Sequence, residues 1–416
     1  MTLRLIQLGL GGWGRNWVEE VTRETPGVAA VAWVEIDPAA REHAVAEQGL
    51  PPERVFGSLE AALQEVAVDA ALVTVPLAAH AAVTRQALDA GLHVLVEKPF
   101  TETLAEARAL SDLARERRRV LMVNQNYRWF PAPRLARQLL QEGAIGRPMA
   151  CYLDFHFLFG AGYRYFFLDE PLLSDMAIHH FDALRFVLDD EPTVVSCQSW
   201  SEPDTPFKGR PAAIATITFA NGTLVSYRGS WISRGPTTPY GGQWRLDGTR
   251  GTIEFTFRGA FEEREKLDRL TLYRPDRPPE QARLPEMPCK DRKGALEAFA
   301  RWVQSGKPPE GVSSALDNQK SLALMFAAIR SAREGGLPVR IADVLAEARL
   351  PEMPCRDRKG ALEAFARWVR SGKPPEGVSS ALDNQNSLAL MFAAIRSARE
   401  GGLPVRIADV LAEASP

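Results

Sequence analysis

The sequence predicts an α/β chain with a parallel sheet in its first third and a mostly antiparallel sheet in its middle. Three observations carry this expectation. Short, nearly continuous apolar runs alternate with helical patterns from residue 3 to 125, as in a parallel sheet buried on both faces. From about residue 147, strand patterns follow one another with a single helix between them. The run Gly9-Leu10-Gly11-Gly12-Trp13-Gly14 joins the first strand to the first helix.

In order, the first region reads as strands over 3–8, 30–34, 70–75, 94–96 and 120–124, with helices among them over 15–25, 80–90 and 104–118. The basic cluster Arg115, Arg117, Arg118 and Arg119 ends a helix, where cations suit the dipole. The second region reads as strands over 149–157, 193–198, 214–219, 223–231, 243–246, 251–257 and 270–273, with a helix over 174–188. Ala220-Asn221-Gly222 predicts a tight hairpin, for which Asn-Gly supplies positive φ angles.

Residues 282–347 recur as 348–413 with three differences in 66 positions: Lys290/Arg356, Gln304/Arg370 and Lys320/Asn386. Two copies without a solenoid consensus make a tandem duplication rather than a repeat architecture. Each copy predicts two amphipathic helices. The first bears the stripe Leu296, Phe299, Trp302 and Val303 (Leu362, Phe365, Trp368 and Val369 in the second copy). The second runs through Leu322, Met325, Phe326 and Ile329 to Gly335-Gly336. If the fold offers one groove, both copies fit it, and the spare is either an oligomerisation or swapping element or a recent duplication without consequence. The expected domains are thus 1–125, 126–347 and the duplicate 348–413.

The chain has 416 residues, 45% hydrophobic and 25% charged, enough for a sizeable core. Fifty Lys+Arg against fifty-two Asp+Glu leave a net charge of -2, so a nucleic-acid footprint is disfavoured. Cys151, Cys197, Cys289 and Cys355 lie far apart without metal-ligand spacing, which argues against a zinc site and a disulfide framework; no metal is expected. No apolar run approaches the ~20 residues a bilayer span needs. The chain starts on a strand-like run without a leader pattern. A soluble, cytoplasmic protein is the expectation, with no membrane partner.

Gly9, Gly11, Gly12 and Gly14 fit G-x-G-x-x-G, in which glycines let the backbone approach a pyrophosphate. Glu35 follows the second strand, where a carboxylate can accept from ribose hydroxyls. Asp37-Pro38 looks more like a turn. No Arg or Lys immediately follows Glu35 to meet a 2′-phosphate, so NAD is expected over NADP. Lys98, in Glu97-Lys98-Pro99, follows a parallel strand on the side where open α/β sheets bind ligands, and its ammonium can steady charge developing on oxygen.

On the helix over 174–188, about 100° per residue puts Asp175, His179 and Asp182 on one stripe. Phe186 shares the stripe, which suits a pocket wall. A histidine with a carboxylate one turn away is a plausible general base. A solvated polar face is the alternative. His180 points to the flank and reads as structural.

Together these features resemble the Gfo/Idh/MocA family of nicotinamide-dependent oxidoreductases, over roughly residues 3–345. The family's glycine opening, P-N-x-x-H segment, EKP tripeptide and D-x-x-x-H-x-x-D helix stand here as Gly9–Gly14, Pro76-Leu77-Ala78-Ala79-His80, Glu97-Lys98-Pro99 and Asp175…His179…Asp182. The runs Ala90-Gly91-Leu92-His93-Val94 and Gly143-Ala144-Ile145-Gly146, and the stretch from Gly248 to Thr252, add to the likeness. Leu77 stands where the family often has asparagine, and Glu170-Pro171-Leu172-Leu173-Ser174 replaces a frequent glycine run.

The resemblance implies a Rossmann dinucleotide-binding domain followed by an α+β domain, with C-terminal helices over 290–335 packing back on the nucleotide domain. It implies Lys98, Asp175 and His179 as catalytic residues. Gly9, Gly11, Gly12, Trp13, Gly14, Glu35, Pro76, His80, Glu97 and Lys98 would form the NAD site. Asn126, Arg128, Tyr163 and Asp182 are weaker substrate contacts. The implied reaction is hydride transfer between NAD(H) and a secondary alcohol of a sugar or polyol, by a homodimer or homotetramer. A redox-assisted glycoside hydrolase and a non-enzymatic NAD-binding regulator of the same fold stay open.

Overall fold

The apolar runs of the first third pair as their pattern requires. In the computed structural model, which describes residues 2–160, 165–259 and 268–347, β1 (Leu3–Leu8), β2 (Val28–Val34), β3 (Val55–Phe56), β4 (Ala70–Val73), β5 (His93–Val96) and β6 (Leu121–Val123) form one parallel sheet in the order β3-β2-β1-β4-β5-β6. Connections from β1 run outward both ways, so the switch point lies between β1 and β4, where doubly wound sheets open a crevice. The crossovers are α1 (Gly12–Trp17), α2 (Pro38–Gln48), α3 (Leu59–Glu65), α4 (Leu77–Asp89) and α5 (Leu104–Glu116). α5 starts with a reciprocal capping box between Thr103 and Glu106.

The single helix expected over 15–25 is instead α1 followed by a π turn, Val18–Thr22. Thr22 Oγ1 donates back to the Trp17 carbonyl at 3.4 Å, five residues earlier, as a widened turn allows.

Beyond β6 a 3₁₀ turn, Asn126–Trp129, leads into α6 (Pro131–Gln141) and then β7 (Pro148–His156). A π turn, Leu172–Ala177, replaces the first turn of the expected helix and continues as α7 (Ile178–Leu188). The remaining strands are β8 (Pro192–Trp200), β9 (Ala212–Phe219), β10 (Leu224–Ser230), β11 (Gln243–Gly248), β12 (Gly251–Thr256), β13 (Arg269–Arg274) and β14 (Arg277–Gln281). With the short β15 (Val339–Arg340) they make a nine-stranded sheet, β14-β13-β12-β11-β7-β10-β9-β8-β15, antiparallel except between β7 and β10.

The β9–β10 hairpin forms as expected, but only Gly222 of its turn has positive φ (+87). Asn221 acts through its side chain, accepting from Thr223 N at 2.8 Å. Period-two alternation buries Cys151, Leu153 and Phe155 and turns Tyr152, Ile214 and Leu224 to the open face.

The first copy of the repeat supplies α8 (Asp291–Ser305), α9 (Ala315–Arg333), β15 and α10 (Ile341–Glu347). Leu296 and Phe299 of α8 are fully buried against Leu3, Leu5, Leu72, Leu95 and Met122 of the first sheet and Trp17 of α1. The second copy lies outside the described residues. Among the described residues no helix is long and apolar enough to cross a membrane, and no cluster of three His, Cys, Asp or Glu side chains could hold a metal ion.

Candidate active site

A cleft of about 570 Å³ opens at the carboxyl ends of β1, β2, β4 and β5. Its walls include Gly9, Gly11, Gly12, Trp13, Glu35, Pro76, His80, Glu97 and Lys98, all of them expected there from the sequence. Gly9 has φ +101, and a Cβ on Gly14 would lie 2.1 Å from the Gly9 carbonyl oxygen, so neither tolerates a side chain. A Cβ on Gly11 or Gly12 would meet no atom within 4 Å; these two leave open backbone for a ligand. The loop is buttressed by two residues the motif does not announce. Gln7 Nε2 donates to the Gly14 carbonyl at 2.7 Å, and Thr74 Oγ1 donates to the Gly9 carbonyl at 2.8 Å.

Glu35, just past β2, accepts from Leu10 N (2.7 Å) and Asp37 N (3.1 Å), which fixes its carboxylate on the cleft wall. Asp37 caps α2 by accepting from Ala39 N. Arg41, six residues after Glu35, donates to the Glu35 and Ile36 carbonyls at 2.7 and 3.0 Å. Sequence adjacency concealed this nearby cation, because the helical turn brings it back. An open glycine loop beside a fixed carboxylate is a donor set that fits a dinucleotide: backbone for pyrophosphate, acceptor for ribose.

Glu97 is buried, and its carboxylate is consumed by the protein. Oε1 accepts from Trp13 Nε1 (2.8 Å), Trp17 Nε1 (2.7 Å) and Asn124 Nδ2 (3.0 Å), and Oε2 accepts from Lys98 N (3.0 Å). His80 is also buried. Its Nδ1 lies 2.8 Å from the Pro99 carbonyl and its Nε2 3.0 Å from the Val75 carbonyl, and burial lowers its pKa despite those acceptors. Both residues therefore stand in the cleft wall with these polar atoms engaged by the protein.

Lys98 follows β5, and the Lys98-Pro99 peptide is cis. Its Nζ reaches Asp175 Oδ1 at 2.7 Å and the Asp175 carbonyl at 3.0 Å, with both side chains nearly buried. Asp175 comes from the π turn and His179 from the first turn of α7. The Tyr127 ring stacks on the His179 imidazole at 4.5 Å and 15°. His180 is buried between the Tyr227 hydroxyl (3.3 Å) and the Tyr240 carbonyl (3.1 Å); burial pushes its pKa down to about 4.

Asp182, Arg128 and Phe186 lie elsewhere. Arg128 donates to Asp182 through Nε (2.6 Å) and Nη2 (2.7 Å), and Nη2 also reaches Asp317 at 2.7 Å. Ser321 Oγ donates to Asp182 at 2.7 Å, and Arg185 Nη2 donates to Asp317 at 2.7 Å. Burial alone would raise the Asp317 carboxyl, but Arg128 and Arg185 outweigh it and hold it at about 2. Phe186 packs under the guanidiniums of Arg128, Arg134 and Arg137 at 5.0–5.7 Å rather than on the cleft. The stripe misled because every residue of α7 is buried, so a polar side chain on it marks an ion pair as readily as a pocket. Asn126 Nδ2 donates to Asp291 Oδ1. Tyr163 lies outside the described residues.

The chain matches the family model described as "Oxidoreductase family, NAD-binding Rossmann fold" over residues 3–125, and the "GFO/IDH/MocA C-terminal domain" over residues 134–254. It is 27% identical over 342 residues to D-apiose dehydrogenase of Paraburkholderia graminis, covering 79% of this chain and 87% of that protein. It is 27% identical over 352 residues to scyllo-inositol 2-dehydrogenase (NAD(+)) of Bacillus subtilis, covering 82% and 96%. In fold it is similar to an inositol dehydrogenase homolog of Azotobacter vinelandii complexed with NADH and myo-inositol, with TM-score 0.70, 20% identity, and 82% and 98% of the two chains covered.

Proposed function

Because the chain belongs to the Gfo/Idh/MocA oxidoreductase family, we propose that it is an NAD-dependent dehydrogenase oxidising a secondary alcohol of a sugar or polyol. The observation that carries this reading is the ion pair between Asp175 and Lys98, a lysine that lines the glycine-walled cleft, with His179 four residues beyond Asp175. When bound, the nicotinamide ring supplies the carbon that exchanges hydride. The rest falls to the chain's own side chains. Gly11, Gly12 and Glu35 hold the dinucleotide. His179 takes the hydroxyl proton on a ring nitrogen while Lys98 Nζ donates to the oxygen on which charge develops. Asp175 keeps that ammonium aimed, and Tyr127 keeps the imidazole plane fixed.

NAD is favoured over NADP because a 2′-phosphate would meet the Glu35 carboxylate, while Arg41 is turned to backbone carbonyls. The sugar and polyol names of the curated relatives support a polyhydroxylated substrate. The exposed apolar side chains Tyr152, Ile214 and Leu224 on the open sheet face support a homodimer or homotetramer formed through that face.

The test is NADH formation from a panel of inositols, aldoses and sugar acids, each with NAD and separately with NADP. Wild type should turn over at least one of them with NAD, and His179→Ala and Lys98→Ala should each lower kcat by about two to four orders of magnitude while NADH still binds. Near-wild-type turnover in both variants would refute the assignment.

A further inference from the structure

The two faces of the site are fastened by consecutive residues of a distant segment. Arg292 is 4% exposed, and its guanidinium carbon lies 4.5 Å over the Trp13 ring and 5.3 Å over the Trp17 ring. Its Nη2 donates to Glu20 at 2.9 Å, which holds the plane in register with the indoles. These are the two indoles whose N–H groups grip Glu97, the residue before Lys98. Trp13 itself belongs to the glycine loop and lines the cleft. The neighbouring Asp291 accepts from Asn126 through Oδ1, and its Oδ2 stands 3.8 Å from Arg258 Nε. Arg258 Nη1 donates to the Tyr127 hydroxyl at 3.3 Å, and Tyr127 carries the stack on His179.

Two further features show that this junction is tightly determined. Asp291 and Arg258 both adopt positive φ (+56 and +52), a region that aspartate enters readily but arginine rarely unless its surroundings hold it there. Gly294, one turn into α8, has no room for a Cβ, which would lie 2.9 Å from both Trp129 Cβ and the Cys289 carbonyl oxygen. α8 is pressed onto the turn that presents Asn126 and Tyr127.

We propose that Asp291-Arg292 is a positioning pair that braces the site from both sides: Arg292 sets the cofactor loop through Trp13, and Asp291 sets the His179 wall through Arg258 and Tyr127. Neither residue lines the cleft, so each acts through others. The proposal rests on the dehydrogenase reading above for what the two walls do. Arginine suits its half because a planar, delocalised cation stacks on indole while still donating in plane, which a lysine ammonium cannot do. Aspartate suits the other half because it tolerates a left-handed backbone and offers two acceptors.

The dipeptide recurs as Asp357-Arg358, so the test changes both copies in the full chain and leaves neither able to replace the other. Arg292→Ala with Arg358→Ala should weaken NADH binding, read by NADH fluorescence titration, by about fivefold or more, with kcat at saturating NAD within about twofold. Lysine at both positions should restore part of that affinity. Asp291→Asn with Asp357→Asn keeps the backbone and the Asn126 acceptor but removes the charge beside Arg258. It should lower kcat by about fivefold or more while NADH affinity stays within about twofold.

The brace is overturned if the double variants shift only the thermal midpoint, or if both move affinity and kcat together as a general loosening would. A wild-type protein that binds NADH but turns over nothing on the panel defeats the dehydrogenase reading and the Asp291 half with it. The NADH titration still decides the Arg292 half.

Discussion

Replacing Asp182 with asparagine separates a structural carboxylate from a substrate contact. The side chain is fully buried and takes two charged donations from Arg128 and a hydroxyl from Ser321, with Arg185 Nη1 at 3.8 Å. Asparagine keeps the shape, removes the charge, and turns one acceptor into a donor facing a guanidinium. Removing one partner of a buried pair costs about 3–5 kcal/mol. Asp317 and Glu191 remain to neutralise the two arginines, which favours the lower end, ~3 kcal/mol. With a urea slope of about 3 kcal/mol/M, the unfolding midpoint should fall by about 1 M. Followed by tryptophan fluorescence at pH 7, that shift should accompany a kcat per folded molecule within about threefold of wild type. The opposite pattern, an unchanged midpoint with kcat reduced about a hundredfold, would refute the burial argument and return Asp182 to the substrate.

Three other outcomes are expected. Glu97→Gln should loosen NADH binding severalfold and destabilise the chain by about 2–3 kcal/mol, since four donors lose a charged acceptor and one oxygen becomes an amide; equal urea midpoints and equal NADH affinity would contradict this. Stability should fall on acidification from pH 6.5 toward 4. The unfolded chain protonates His180 near 6.5, whereas the folded chain resists until about 4, so protons favour unfolding by up to ~3 kcal/mol across that window, with buried His80 acting in the same direction. Urea titrations at pH 7, 5.5 and 4.5 check this, and His180→Gln should flatten the slope. A chain ending at Glu347 should keep its NADH affinity, its turnover and its number of subunits, because the cleft and both sheets precede that point; a changed number of subunits in analytical ultracentrifugation would show that the second copy takes part in assembly.

Much of the fold was readable because its signals are local. Buried parallel strands announce themselves as short apolar runs, and Gly9 and Gly14 sit where backbone crowding admits nothing else. The gathering of Lys98 and Asp175 followed from family resemblance, since no spacing rule joins residues 77 positions apart. The braces were invisible for the same reason. Gln7, Thr74, Arg258, Asp291 and Arg292 are ordinary polar residues whose partners are fixed only by tertiary packing. Helical periodicity placed Asp182 and Phe186 on the His179 stripe correctly but could not tell which neighbour would cover each turn. Asn221-Gly222 gave the right hairpin with a different division of labour, because an asparagine side chain can close a turn as well as its backbone can.

The outermost strand β14 spells Arg-Pro-Pro-Glu-Gln, and every residue of it is exposed. Pro278 and Pro279 have no N–H to offer, and the flanking charges resist a further apolar strand. The opposite border, β15, is only two residues long. Among the described residues, then, neither border of this sheet is suited to template another chain or to extend it laterally into a continuous ribbon. Any contact between copies through the described part of this sheet is left to its open face rather than to its edges.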